Sequence, residues 1–326
     1  MASPGATTKT LKKVLSIAGS DCSGGAGIQA DIKTISAQGM YAMSVLTALT
    51  AQNTTGVFAV QEVEPAFVAQ QIDAVFSDIR PDAVKIGMVS NAAIIAAIAE
   101  RLRYWRAERI VLDPVMIATS GGKLLNDNAV FALVELLFPL ASVVTPNLPE
   151  AEVLCGHPII NDAAREQAAR EIAGLTAGAV LIKGGHGALG DGIAGGAAEA
   201  AAAGIAASAT AAAAGTPAAP AASDTPPAAS DTTAASGEAR DLLHNEGTLL
   251  WLSAPRVATK NTHGTGCTLS SAIACGLAAE QPLEQAVRQA KRYVGAALSS
   301  GLALGRGNGP LNHLVWQSGR SLSGGI

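Results

Sequence analysis

The stretch VLSIAGSDCSGGAGIQADIKTISAQG, residues 14–39, sets the fold. Its first six residues are a short apolar run of the kind that forms a buried strand. A glycine-rich turn follows, and then Ile28, Ile32 and Ile35 recur at the spacing of one helical face. Strand, tight turn and helix therefore succeed one another within 26 residues.

The same alternation runs on through the chain. MSVLTALTAQN (43–53) reads as a second buried strand. PAFVAQQIDAVFSDI (65–79) reads as a helix, with proline at its start and Phe67, Ile72, Val75 and Ile79 at helical spacing. DAVKIGMV, RIVLDPVM, SVVTPN and AVLIKGG follow as apolar strands, with helical stretches expected over 91–105, 126–138 and 149–175. Uniformly apolar strands separated by helices predict an α/β fold with a central, mostly parallel sheet flanked by helices. DLLHNEGTLLWLSAPRV adds a hairpin with Asn245, Glu246 and Gly247 at its turn. From about 188 to 240 the chain is nearly all Ala, Gly, Ser, Thr, Pro and Asp. That composition cannot bury enough apolar surface to offset ordering, so a disordered insertion is expected within a single domain over 1–326.

Bulk properties exclude several function classes. The 326 residues are 49% hydrophobic and 15% charged, with a net charge of −4, so there is no basic footprint for nucleic acid. Cys22, Cys155, Cys267 and Cys275 are scattered without a CxxC pair or a histidine at zinc-finger spacing, which argues against a structural metal site or a disulfide framework and for reduced thiols in a cytoplasmic protein. The apolar run behind the first lysines is too short for a signal peptide, and no stretch predicts a membrane span.

In parallel sheets ligands bind beyond the carboxyl ends of the strands, and here those ends are polar or rich in glycine. GAGIQA (25–30) formally fits a dinucleotide fingerprint, but the next strand ends in TAQN without the acid that would hold a ribose. No Walker A motif is present. In THGTGCTLSS (262–271), Gly264 and Gly266 allow successive backbone N–H groups to converge at a helix start, a natural anion site. An ordinary glycine turn explains that segment equally well. Asn147 and Glu150 open another helix, where the glutamate also suits the helix dipole. Asp31 has the same plain reading, as a helix-stabilising acid. Lys183, at the end of a buried strand, must reach an acid or a phosphate.

Taken together, AGSDCSGGAGIQADIKT, TAQNT, KIGM, VLDPVM, TPNLPEA, KGGH and TKNTHGTGCTLSSAIA, in this order, resemble the hydroxymethylpyrimidine/phosphomethylpyrimidine kinases of thiamine biosynthesis. These belong to the ribokinase-like superfamily, and the resemblance covers about residues 14–316 outside the alanine-rich insertion. It implies a three-layer ribokinase-like fold and a homodimer. It also implies ATP- and Mg²⁺-dependent phosphorylation of 4-amino-5-hydroxymethyl-2-methylpyrimidine, then of its monophosphate. By resemblance, Gly19, Asp31, Gln52, Met88, Val115 and Cys267 line the pyrimidine pocket. The Gln52 amide offers a donor and an acceptor to the ring edge, Asp31 would accept from an amino group, and Met88 and Val115 supply apolar faces.

Gly264, Thr265, Gly266 and Cys267 would present backbone N–H groups to the transferred phosphoryl, where positioning and charge neutralisation carry the chemistry. Asn147 and Glu150 match the superfamily's Asn-x-x-Glu, implying a hold on Mg²⁺ and phosphate, with Glu150 acting through water. Lys183 would lie near the ATP phosphates, and Asp113 would join that network. Many relatives carry an aspartate base where this chain has Cys267. A thiolate base and a mere pocket-shaping thiol both remain open. The competing readings are a pyridoxal-type vitamin kinase of the same fold and a non-catalytic pyrimidine-binding protein.

Overall fold

The computed structural model describes residues 10–116, 125–185 and 237–316. In chain order the elements are β1 (Lys13–Asp21), α1 (Gly27–Ala37), β2 (Tyr41–Asn53), β3 (Gly56–Glu62), α2 (Pro65–Asp78), β4 (Ala83–Ile86) and α3 (Ala92–Tyr104). They continue as β5 (Ile110–Leu112), α4 (Asp127–Ala132), β6 (Val143–Val144), α5 (Leu148–Cys155), α6 (Asp162–Ala173) and β7 (Ala179–Ile182). The last are β8 (Glu238–Asn245), β9 (Thr248–Pro255), α7 (Thr265–Ala278) and α8 (Leu283–Ser299).

All nine strands join one sheet in the order β3-β2-β1-β4-β5-β6-β7-β8-β9. The six strands from β2 to β7 run parallel, and the antiparallel strands β3, β8 and β9 close its two edges. Successive side chains of a strand point to opposite faces, so each central strand feeds two cores. Leu15 and Ile17 of β1 pack with Val68, Ile72, Ile98 and Ile172 from α2, α3 and α6. Val14 of the same strand packs with Ile35, Ile273 and Val287 from α1, α7 and α8. Helices therefore cover both faces, as the uninterrupted apolar strands require.

Three departures from the sequence reading have local causes. The expected helix over 149–175 is two helices, because Gly156 takes a left-handed φ of 76° at the end of α5. Asn161 then caps α6 by accepting from Ala164 N–H. The stretch 126–138 is helical only in part as an α-helix, passing at Leu133 into a π-helical turn. Neither β3 nor α8 was anticipated; β3 is an exposed edge strand whose sequence GVFAVQE lacks the signature of a half-buried face. The β8–β9 hairpin forms as expected, with Glu246 (φ 49°) and Gly247 (φ 79°) in the left-handed region that a two-residue hairpin turn demands. Most of the expected insertion lies outside the described residues, but Glu238–Arg240 already belong to β8, so the strand starts inside the 188–240 boundary.

One polar group interrupts the layer between the sheet and α1 and α7. Lys85 of β4 has no exposed surface and donates to both carboxylate oxygens of Asp31 in α1, at 3.0 and 2.8 Å. Ser16 of β1 and Ser271 of α7 complete the shell, donating to the same carboxylate at 2.5 and 2.8 Å. Burial alone would depress the Lys85 ammonium, but the charge of Asp31, with smaller contributions from Cys267 and Asp113, holds its pKa above the ordinary lysine value. The pair thereby ties two strands and two helices through charge-assisted bonds.

Removing one partner of such a pair strands the other charge in a dry layer. Lys85→Met is expected to lower the unfolding free energy by about 3–5 kcal/mol in urea titrations. Asp31→Asn/Lys85→Met should be more stable than Lys85→Met alone; a double variant no better than the single one would show that the ion pair does not carry the effect.

Candidate active site

The carboxyl ends of the parallel strands bring the sequence-predicted residues to one sheet edge. Gly19 lies near the end of β1, Gln52 at the end of β2, and Met88 just past β4. Asp113 and Val115 follow β5, Asn147 precedes α5, and Lys183 follows β7. Gly264–Cys267 form the start of α7. Asp31 is the exception. It was expected to meet a ring amino group, yet its carboxylate points inward and is fully enclosed by Lys85, Ser16 and Ser271. Both of its oxygens are taken up by these three side chains, which gives Asp31 a part in holding α1 and α7 to the sheet beside Cys267.

Two glycine turns meet face to face. The turn between β1 and α1 is wound around Asp21, whose carboxylate accepts from the backbone N–H groups of Ser23, Gly25 and Ala26 at 2.9, 3.0 and 2.8 Å. The same carboxylate lies 2.8 Å from His263 Nε2, so one side chain joins this turn to the one before α7. Burial by itself would raise the Asp21 carboxyl, but bonds from His263, Ser23 and Ala26 hold it well below the usual carboxylate range. The Gln52 amide nitrogen is 3.2 Å from the same ring nitrogen, which places the β2 end beside the junction. Gly264 has φ 86°, and a side chain there would collide with the Gly25 carbonyl, so glycine is a requirement of the approach.

The start of α7 is capped by no side chain. The Thr265 N–H donates to the Thr262 carbonyl at 3.2 Å, the next N–H groups have no partners within the helix, and the macrodipole adds positive potential there. Lys183 stands across from this terminus. Its ammonium donates to Asp113 Oδ1 at 2.5 Å, and Thr145 Oγ1 donates to the same oxygen at 2.9 Å. A methyl group on Gly266 would lie 3.3 Å from Asp113 Oδ2 and 3.5 Å from Lys183 Nζ, which sets how close these groups come to the helix start. Burial opposes ionisation of both partners, but each charge stabilises the other: Asp113 is held below the ordinary aspartate value and Lys183 above the ordinary lysine value.

Asn147 and Glu150 form a reciprocal capping box: Asn147 Oδ1 accepts from Glu150 N–H and Glu150 Oε2 accepts from Asn147 N–H, both at 2.9 Å. Backbone pairing of Asn147 with Lys183 sets them side by side. Burial pushes the Glu150 carboxyl up to about 7, against the pull of Lys183 and with the help of the Asp113 charge. A carboxylate this poorly compensated, next to an anionic neighbour, fits a site that gains a cation when loaded. Met88 folds over Gly19, where an added Cβ would sit 2.6 Å from its Cε, and Val115 stays half-buried beside the site. Cys267 is partly accessible, but burial pushes its thiol up to about 11, only partly offset by Lys85. The resting side chain is therefore a neutral thiol.

Sequence reasoning assigned no role to Asp21, His263 or Lys85. Lys85 left a legible signal, because a lysine inside AVKI must find an acid once the strand is buried. Asp21 stands directly before the glycine turn, yet its bond to a histidine 242 residues away has no trace in local sequence.

The residues 21–212 and 229–312 match the family model of phosphomethylpyrimidine kinase. A Rhizobium meliloti protein named hydroxymethylpyrimidine/phosphomethylpyrimidine kinase is 47% identical over 302 residues, covering 92% of this chain and 96% of that protein. The thiamine biosynthesis bifunctional protein ThiED of Geobacter sulfurreducens is 44% identical across 93% of this chain, which spans 52% of that longer protein. A crystal structure of phosphomethylpyrimidine kinase from Clostridium difficile superposes with a TM-score of 0.66 at 39% identity, covering 88% of this chain and 99% of that one. An ADP complex of Bacillus subtilis pyridoxal kinase gives a TM-score of 0.74 at 28% identity, covering 95% and 100%. The fold is ribokinase-like, and the chain belongs to the phosphomethylpyrimidine kinase family.

Proposed function

We propose that this protein is an ATP-dependent kinase that phosphorylates 4-amino-5-hydroxymethyl-2-methylpyrimidine, and then its monophosphate, in thiamine diphosphate synthesis. The observation that carries the reading is the uncapped start of α7 at the glycine junction, facing the buried Lys183–Asp113 pair and the Asn147–Glu150 box. Phosphoryl transfer asks for aligned donors and fixed charge around the moving group, and these residues supply both.

The pyrimidine ring is placed between Met88 and Val115, over Gly19, with the Gln52 amide on its edge. The backbone N–H groups of Gly264, Gly266 and Cys267 hold the transferred phosphoryl oxygens, joined by Thr265 once its N–H turns from the Thr262 carbonyl. Lys183 neutralises phosphate charge, and Asp113 holds the Lys183 ammonium in place. Mg²⁺ suits the carboxylate of Glu150, approached through water, with Asn147 and Asp113 beside it; the ion supplies neutralisation of the ATP phosphates. The reaction is placed in the cytosol, in keeping with four free cysteines, and no helix among the described residues is long and apolar enough to cross a membrane. The working unit is taken as a homodimer, and exposed Leu49, Val57, Phe58 and Val60 on the β2–β3 edge offer apolar surface for a subunit contact.

Pyridoxal is the rival substrate, since pyridoxal kinases share the fold. Incubation with ATP, Mg²⁺ and the hydroxymethylpyrimidine should yield monophosphate and then diphosphate, resolved by chromatography. Turnover of pyridoxal that equals or exceeds that of the pyrimidine would overturn the assignment, and absence of ADP release with either alcohol would favour a binding protein.

Cys267 is assigned as the proton acceptor, as thiolate, at the mouth of the hole. A thiol with a pKa of about 11 is scarcely ionised at neutral pH but strongly basic once ionised. The rate should then rise about tenfold per pH unit between pH 8 and 10 in the wild type. Cys267→Ser should flatten that limb and lower kcat about 100-fold with KM little changed. A Cys267→Ser variant with the wild-type rate and profile would leave the thiol only a lining role. Gly266→Ala, whose methyl intrudes toward Asp113 and Lys183, should raise the KM for ATP at least about tenfold; unaltered ATP kinetics would contradict the anion hole.

A further inference from the structure

The turn between α5 and α6 gathers a second set of ligating side chains, away from the sheet edge. Cys155 ends α5, His157 follows the left-handed Gly156, and Glu171 comes from the last turns of α6. Their Sγ, ring nitrogen and carboxylate oxygen all lie within 4.8 Å of one another. Asn147 and Glu150 lie toward the opposite end of α5, about 12 and 7.5 Å along the helix from Cys155 at 1.5 Å per residue.

The His157 ring is held between two acceptors, with Nδ1 3.3 Å from the Pro158 carbonyl and Nε2 2.8 Å from Glu171 Oε2. At rest a ring proton joins Nε2 to the carboxylate, and a metal ion that displaces this proton would meet a nitrogen and an oxygen already aimed at one another. The outer shell is that of a metal site: a ligating imidazole donates its other N–H to a backbone carbonyl, and a ligating carboxylate is itself hydrogen-bonded. Pro158 O fills the first role, and Gln167 Nε2, donating to Glu171 Oε1 at 2.8 Å, fills the second. Cys155 Sγ contributes a soft third ligand and rests 3.4 Å from the His157 carbonyl.

We propose that Cys155, His157 and Glu171 bind a divalent cation of the zinc class, with water in the fourth position. The ligand set decides the class: sulfur, imidazole nitrogen and one carboxylate favour Zn²⁺ over the oxygen-seeking Mg²⁺ of the kinase site. Bond lengths of about 2.0–2.3 Å set tetrahedral ligands about 3.3–3.8 Å apart, so His157 and Glu171, now 2.8 Å apart, must open slightly while Cys155 closes in by side-chain rotation. His157 and Glu171 side chains are 32% and 40% exposed, so water has access to the open position. Binding displaces the thiol proton of Cys155 and the proton held between His157 and Glu171, both of which pass to solvent. The ion would fasten the end of α5 to α6.

Untagged, metal-stripped protein is titrated with Zn²⁺ against a chromophoric chelator in excess Mg²⁺. One zinc per chain is expected, with affinity at least about tenfold weaker in Cys155→Ala and in His157→Ala. In Co²⁺-loaded wild type and Cys22→Ala, a sulfur-to-cobalt charge-transfer band should appear, and Cys155→Ala should lack it. Cys155→Ser, which preserves volume, repeats the measurement if the alanine variant fails to fold. Zinc affinity unchanged in the Cys155 variants, or a cobalt complex without the sulfur band, would overturn the site and leave His157 and Glu171 as a protonated ion pair.

Discussion

The Asp31–Lys85 ion pair is the constraint on which the site's geometry depends. Both side chains have no exposed surface, in a layer otherwise filled by Val14, Ile35, Val111 and Ile273. A buried pair contributes little net stability compared with well-packed apolar residues, because desolvation offsets the attraction. What it supplies here is position. Apolar packing tolerates small slides and rotations, whereas Asp31 must meet Lys85 of β4, Ser16 of β1 and Ser271 of α7 at hydrogen-bond distance. The rotation and depth of α1 and α7 against the sheet are fixed by that requirement. Ser271 sits one helical turn beyond Cys267, so fixing the serine also fixes the first turn of α7.

From that layer outward, the site is built by backbone contacts rather than by long side chains. Asp21 winds the β1–α1 turn around its carboxylate and holds His263, and Gly264 then seats against Gly25 where no side chain fits. Two separately encoded glycine turns thus become one surface. The donors of α7 face Lys183 and Asp113 across it, so positive potential from the helix and from the lysine converges on the same volume. Pre-set donors of this kind need no reorganisation when charge arrives, which is the condition for electrostatic catalysis.

The alternation of apolar strands and helices made the parallel sheet legible, and the polar strand ends foretold that Gly19, Gln52, Asn147 and Lys183 gather at one sheet edge. Those signals are local and periodic. Asp31 shows where they stop. Its position in the first turns of a helix fits a ligand-facing acid and a buried structural acid equally well, and only the lysine on a neighbouring strand decides between them. Lys85 carried that information in the motif KIGM, but its direction depends on strand register, which alternates with each residue. The Asp21–His263 contact, the division of α5 from α6 and the edge strand β3 likewise depend on tertiary contacts or on single left-handed residues. Gly156 ends one helix and Asn161 starts the next, where periodicity would join the two.

Charge balance around Cys267 distinguishes this site from one built on an aspartate base. Asp31 and Asp113 lie near enough to oppose ionisation of the thiol, and Lys85, although close, is already neutralised by Asp31. A carboxylate at position 267 would add a third negative charge to this group, directly at a helix start that must receive phosphate. The thiol avoids that repulsion in the resting state, because it is neutral until a proton is withdrawn. In the proposed role the thiol must first lose its proton, so the negative charge belongs to the small ionised fraction and is discharged when the thiolate takes the proton of the attacking hydroxyl. A neutral thiol suits the anion hole we propose at this helix start, and the cost is a small ionised fraction at neutral pH.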